Sequence, residues 1–199
     1  MPNIDEKVSE ALDQAEEKKS TLNSLIAACV AVAATFLAIS NVKAGNVVQA
    51  MSKAQVEIVD TWAFFQAKST KQSLAEVSVD QLTIAKESAA EEKKAGYDKL
   101  IESYKSKSAR YEKEKNDLQT KVDGLQKEYD ALNVKDDQFD ISEALLSVAI
   151  ALFGITALTQ KRWMLFVALG FAGFGLLVGL SGFVGWNIRP EWLAKLIGA

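Results

Sequence analysis

Few residues in this chain have the types and spacing that chemistry requires, and the acidic run "DDQFD" at Asp136–Asp140 is the first to weigh. Clustered carboxylates can open a calcium loop, but such a loop also needs a central glycine and a closing Glu, and neither follows at the required places. The expected role is a linker that caps a following helix through Asp140 or Ser142. Cys29 is the single cysteine and lies in an apolar run, so it reads as a small packing residue with no intrachain disulfide. The chain has no His, which removes the commonest metal ligand and general base. No zinc-protease, nucleophile-elbow or phosphate-loop pattern is present. The only candidate for an ionisable side chain within a span is Glu143, and it sits at the mouth of the second apolar run, not midway. Thr35 and Thr156 are the deepest polar groups, and each can bond its own helix backbone. A proton pump or secondary transporter normally keeps an ionisable side chain midway through a span, so this composition argues against both. The expectation is a protein that is not an enzyme and takes no cofactor and no metal. Its net charge of -3, spread over both signs, also suggests no nucleic-acid partner.

The elements behind these residues follow from how charge is segregated. No Asp, Glu, Lys or Arg occurs from Leu22 to Val42, from Ala144 to Gln160, or from Trp163 to Ile188. Uncharged apolar runs of roughly 17–25 residues are the length that crosses a bilayer as helix. Only Pro2 and Pro190 are present, so the interior lacks the strongest helix breaker. The expected fold is an all-α integral membrane protein with three transmembrane helices and a long helical, coiled-coil hairpin insert between the first and second. Its parts are a charged N-terminal segment (1–21), helix one (22–42), a soluble arm (43–140), helices two (141–160) and three (163–187), and a short amphipathic tail (188–199). The segment before helix one is long and net acidic, which fits an uncleaved anchor better than a secretory signal.

The arm has the clearest periodicity. Tyr97, Tyr104, Tyr111, Leu118, Leu125 and Leu132 recur every seven residues, with Ile101, Ser108, Lys115, Val122 and Tyr129 at the companion position. This predicts a coiled-coil seam weakened at Ser108 and Lys115. Upstream, Val47, Met51, Ala54, Ile58, Trp62 and Phe65 fall on one helical face. An antiparallel hairpin with equal arms puts the tip near residue 90, with a rival turn at "EVSVDQL". That register sets Trp62 and Phe65 opposite residues 114–117, between Tyr111 and Leu118, with the Lys115 stem along the rings. Phe64 points off the stripe and is left for another copy or a partner protein.

The apolar helices carry small residues at spacings of three and four. They are Ala27, Ala31, Ala34 and Ala38 in the first, Ala144, Ser147, Ala151 and Gly154 in the second, and Ala168, Ala172, Gly175, Gly179 and Gly182 in the third. Small faces let backbones approach closely and predict tight helix packing, within one chain or between copies.

The run "SLIAACVAVAATFLAISNVKAGNVVQAMSKAQVEIVDTWAFFQAKSTKQ", with its Trp-Ala-Phe-aromatic block and following Gln-Ala-Lys-Ser, resembles the corresponding part of a bacterial membrane family, domain of unknown function 4337. The resemblance implies a bacterial inner-membrane protein and supplies no reaction, ligand or site. The order of one span, an insert and a two-span hairpin is also similar to proton-driven stator subunits, but the proton-carrying carboxylate of such proteins is not visible here. The functional expectation is a self-associating scaffold in the lipid bilayer, whose arm docks other copies or an unidentified partner. The alternative is an oligomeric channel or an accessory subunit of an ion-driven complex. Lys18, Lys19, Lys161 and Arg162, set against Lys43, Arg189 and Lys195, slightly favour an arm outside the cytoplasm.

Overall fold

The computed structural model describes residues 4–186 together with residues 188, 190 and 192. Three helices account for nearly all of them: α1 (Ile4–Glu87), α2 (Glu91–Thr159) and α3 (Arg162–Val184). No strand occurs among the described residues. Each helix contains a stretch long and apolar enough to cross a membrane.

The insert is not a separate hairpin with its own two helices, as the change in composition suggested. The first apolar run and the sequence after it share one helix of 84 residues, and the later heptads share another of 69 residues with the second apolar run. A change from Leu and Ala to Lys and Glu alters which solvent suits a helix, but it does not interrupt the backbone hydrogen bonds. The rival turn "EVSVDQL" lies inside α1 and is helical. The cap expected at Asp140 or Ser142 is likewise absent, because α2 runs unbroken through both. The tail 188–199 lies outside the described residues apart from Ile188, Pro190 and Trp192.

The chain divides into two compact units, residues 50–131 and residues 1–49 with 132–199. In the first, the chain reverses at Ser88–Ala90, where Ala89 N–H donates to Lys86 O (3.2 Å) and Lys93 N–H to Ala90 O (2.9 Å). Charge placement accounts for the reversal. Lys86 lies in the last turn of α1 and Glu91 and Glu92 in the first turn of α2, each complementing its helix dipole. Lys86 also pairs with Asp98 across the turn.

In the second unit, parts of all three helices enclose an apolar core. Ile26 and Ala33 of α1 meet Leu146, Ala149 and Phe153 of α2 and Leu165, Ala168 and Ala172 of α3. A smaller cluster of Ile141, Leu145 and Val178 extends it. The turn between α2 and α3 holds Gln160 at φ 58, a left-handed conformation unusual for a residue with a side chain. Its side chain is held in turn: Gln160 Nε2 donates to Asn23 Oδ1 at 2.9 Å, joining this turn to α1. At the other end of α3, Gly185 adopts φ 80, and the N–H groups of Gly185 and Trp186 both donate to Ser181 O. This closes the helix with a left-handed glycine cap.

Candidate functional site

In the unit formed by residues 50–131, the α2 residues that recur every seven positions turn toward α1. Tyr97, Tyr104, Tyr111, Leu118 and Leu125 are half-buried, as are Ile101, Ser108, Lys115 and Tyr129, and Val122 is buried. Leu132, in the other unit, is half-buried too. The two polar seam positions have polar partners across the pair. Ser108 Oγ donates to Glu76 Oε1 at 3.0 Å, and Lys115 Nζ donates to Gln72 Oε1 at 3.0 Å. Ion pairs Lys121–Glu57 (2.8 Å) and Lys68–Glu114 (2.5 Å) flank the seam. They hold the Glu57 and Glu114 carboxyls below the usual range of about 4.5.

The aromatics Trp62, Phe64 and Phe65 divide differently from the expected pattern. Phe65 is half-buried with Lys115 Nζ 5.8 Å from its ring centroid, as the hairpin register predicts. Trp62, expected on the buried stripe, is instead 37% exposed and stacks edge-on against Phe65 at 5.1 Å. Thr61 is buried in its place. The stripe from Ala54 through Ile58 to Trp62 takes two consecutive steps of four, which rotates its last member about 80° off the starting line. A seven-residue seam alternates four and three, and that alternation selects Thr61. Burial of Thr61 is tolerable because its hydroxyl donates to Glu57 O at 2.6 Å. Phe64 is 62% exposed, pointing away as expected.

In the other unit the small residues fall on two kinds of face. On α3, Ala168, Ala172, Gly175, Gly179 and Gly182 are all buried. The glycines receive larger groups from the neighbouring helices. A Cβ at Gly175 would lie 3.1 Å from Leu145 Cβ, one at Gly179 would lie 2.5 Å from Ser142 Oγ and 2.6 Å from Phe36, and one at Gly182 would lie 3.1 Å from Phe139. On α1 and α2 the outcome is the opposite. Ala27, Ala31, Ala34 and Ala38, with Ser147, Ala151 and Gly154, are exposed in the single chain, and Ala144 is half-buried. Ile26, Ala33, Leu146, Ala149 and Phe153 turn inward in their place. The α3 glycines are matched by large groups, Leu145, Phe36 and Phe139, whereas the core beside them buries Ala33, Ala149, Ala168 and Ala172 together with Leu146 and Phe153. Cys29 is half-buried beside an apolar groove of about 300 Å³ that also touches Ala33, Phe153 and Ala172.

One end of this unit carries a polar cluster. Gln138 is buried (1% exposed), and its Nε2 donates to the backbone oxygens of Trp186 (2.6 Å) and Ile188 (3.3 Å). Ser142 Oγ donates to Gly175 O at 2.8 Å. Phe139 meets Phe183 edge-on at 5.1 Å, and Phe36 meets the same ring at 6.0 Å. With its amide turned to donate, Asn41 Nδ2 lies 3.2 Å from Glu143 Oε2. Asn133 Nδ2 donates to the buried Asp137 carboxylate at 3.4 Å. Partial burial, then the Asp140 and Asp137 charges, raise the Asp136 carboxyl above its ordinary value. Partial burial, then Glu143 and Asp137, do the same to Asp140. The sequence marks neither Gln138 nor this role of Ser142, expected as a cap, because their partners are backbone carbonyls 48 and 33 residues away.

This set of contacts joins helices. No cluster of three or more metal-ligating side chains occurs among the described residues. No curated protein and no solved structure matches the chain. A family model does match residues 22–185, taking in both units, and the chain belongs to the family described as domain of unknown function (DUF4337).

Proposed function

We propose that the chain is a multi-pass protein of the bacterial cytoplasmic membrane, a non-enzymatic scaffold that self-associates through residues 50–131. The observation that supports this reading is a second face on α1. Val56, Ala63, Thr70, Val77 and Ile84 recur every seven residues on the side away from α2, and none is charged. Val56, Val77 and Ile84 are exposed, as are their neighbours Val59 and Leu74. An aqueous helix pair gains nothing from such a stripe. A further helix packed on it buries the apolar groups in heptad register and builds a coiled-coil bundle from two copies. Phe64 stands beside this face and supplies an aromatic contact for the same partner.

Oxidative crosslinking in native membranes tests the reading. Val77→Cys, in a Cys29→Ala background, gives a disulfide-linked dimer. Val77→Glu with Ile84→Glu abolishes self-association in light scattering while leaving the helical circular dichroism intact. A wild-type chain that is monomeric in detergent, with no Val77→Cys crosslink in membranes, refutes it. The side of the membrane is read separately, with a membrane-impermeant thiol reagent on Ser106→Cys in intact spheroplasts. Labelling is expected, for an arm outside the cytoplasm.

A further inference from the structure

The turn between α2 and α3 and the stretch of α1 around Asn23 meet at one end of the three-helix unit, joined by the Gln160–Asn23 hydrogen bond. At this end a cavity of about 420 Å³ opens between α1 and α3. Lys18 and Arg162 line it on its charged side together with Glu17, and Leu22, Leu25 and Phe166 line it on the apolar side. Among the described residues neither Lys18 nor Arg162 has an ion-pair partner. The apolar wall consists of the first residues of the charge-free runs of α1 and α3. The cavity is therefore cationic at one end and continuous with hydrocarbon-like surface at the other.

We infer that this cavity is a binding site for the phosphodiester headgroup of one membrane phospholipid, with the acyl chains lying along Leu22, Leu25 and Phe166. The inference rests on the membrane reading above. Three features select the ligand. Arg162 offers a planar fork of donors and Lys18 a point charge, a combination suited to phosphate oxygens. The apolar wall selects an amphiphile over a free anion. Glu17 leaves two cations against one carboxylate, which suits a singly charged phosphodiester such as phosphatidylglycerol better than a dianionic phosphomonoester. Lys19 and Lys161 carry the same charges in the neighbouring chain positions, but neither lines the cavity. They bear on attraction to an anionic surface, whereas Lys18 and Arg162 define the site.

The test is native mass spectrometry of the full chain in detergent, titrated with phosphatidylglycerol. Wild type retains one lipid. Lys18→Gln with Arg162→Gln lowers its affinity by about tenfold or more, while Lys19→Gln with Lys161→Gln, which removes the same charge, changes it less than about threefold. Diacylglycerol, which has the chains without the phosphate, is not retained, and millimolar inorganic phosphate does not displace the lipid. Equal losses in the two double variants overturn the proposal, because binding is then diffuse attraction. Retention of diacylglycerol overturns the headgroup assignment, and displacement by inorganic phosphate overturns the lipid one. Circular dichroism and thermal melting of both double variants establish that each is folded before it is compared. Carbonate extraction of membranes reads the other hypothesis separately: a wild-type chain that leaves the membrane refutes the membrane reading, whereas one that stays while the Lys18/Arg162 variant binds lipid normally refutes only this site.

Discussion

Replacing Gly179 by Ala tests whether α3 is held by close approach at its glycines. The added Cβ would lie 2.5 Å from Ser142 Oγ and 2.6 and 2.9 Å from the Phe36 ring, well inside van der Waals contact. Neither neighbour is free to retreat. The Ser142 hydroxyl is engaged with Gly175 O at 2.8 Å, and the Phe36 ring packs edge-on against Phe183. Overpacking of this kind costs about 1–3 kcal/mol. Rotating Ser142 away forfeits a hydrogen bond of about 1 kcal/mol. Against these stands the helix preference for Ala over Gly, about 1 kcal/mol. The net expectation is destabilisation by about 2 kcal/mol. Gly170→Ala is the internal control, since a Cβ there meets nothing within 4 Å. It keeps the helix preference alone, so the two variants should differ by about 3 kcal/mol. The measurement is denaturant unfolding of the full chain in mixed micelles, followed by far-UV circular dichroism. Adding Ser142→Ala to Gly179→Ala should cost less than Ser142→Ala alone, with a coupling of about 0.5–1.5 kcal/mol, because the hydrogen bond is already lost. A Gly179→Ala protein at least as stable as Gly170→Ala would refute the close-approach argument.

Other expectations follow from single contacts. Ser40 is buried at 1% exposure and its hydroxyl has no hydrogen-bond partner among the described residues, so Ser40→Ala should be neutral or stabilise by about 1 kcal/mol, whereas Ser142→Ala should destabilise by a similar amount. The same micelle unfolding assay distinguishes the two, and opposite signs are required. Trp62→Ala should cost about 1–2 kcal/mol in thermal unfolding, since the ring is partly exposed and its main contact is the edge-on pair with Phe65; a loss of 3 kcal/mol or more would mean the ring is fully buried. The two units should respond oppositely to pH in hydrogen exchange. Asp136 and Asp140 bind protons more tightly when folded, so their contribution is complete below about pH 3.8 and is lost as pH rises through their raised values; amide protection around residues 133–145 should fall from pH 4 to 7. Glu57 and Glu114 bind protons less tightly when folded, so their contribution is complete above about pH 4.5 and is lost on acidification; protection near residues 55–60 and 112–118 should fall below that value. Uniform loss or gain across both regions would contradict the assignment.

What the sequence made legible was whatever repeats locally. The charge-free runs marked the apolar parts of all three helices, because a single ionised group in such a run is costly and its absence is conspicuous. The seven-residue recurrence from Tyr97 to Leu132 marked the inward line of α2, because the period fixes direction whatever the side chain. The stripe ending at Trp62 departs from the structure at that step, since a threonine whose hydroxyl bonds Glu57 O can be buried with little penalty. The changes of composition inside α1 and α2 mark no helix boundary, because backbone hydrogen bonding is indifferent to them. The small faces told which helices could approach closely, but not that α3 alone would use its glycines as sockets for Phe36, Leu145 and Phe139. That depends on which large side chains arrive from elsewhere in the chain, as do the bonds of Gln138 and Ser142.

The core that joins Ile26 and Ala33 to Leu146, Phe153, Leu165 and Ala172 also sets a timetable for biogenesis. Its first members leave the ribosome roughly 120 residues before the others, a delay of about 6–24 s at bacterial and eukaryotic synthesis rates of about 5–20 residues per second. During that interval the apolar stretch of α1 has no partner helices, and its inward face is open to whatever surrounds the nascent chain. On the proposed membrane reading, the uncharged stretch from Leu22 to Val42 satisfies its own backbone in the bilayer and needs no partner helix meanwhile. The late pieces have no such wait. Ser142 and Gly175 are separated by 33 residues, and the turn at Gln160 brings them together almost as soon as the second of them is made. Completion of this core thus waits on synthesis of α2 and α3, seconds after its α1 members are made.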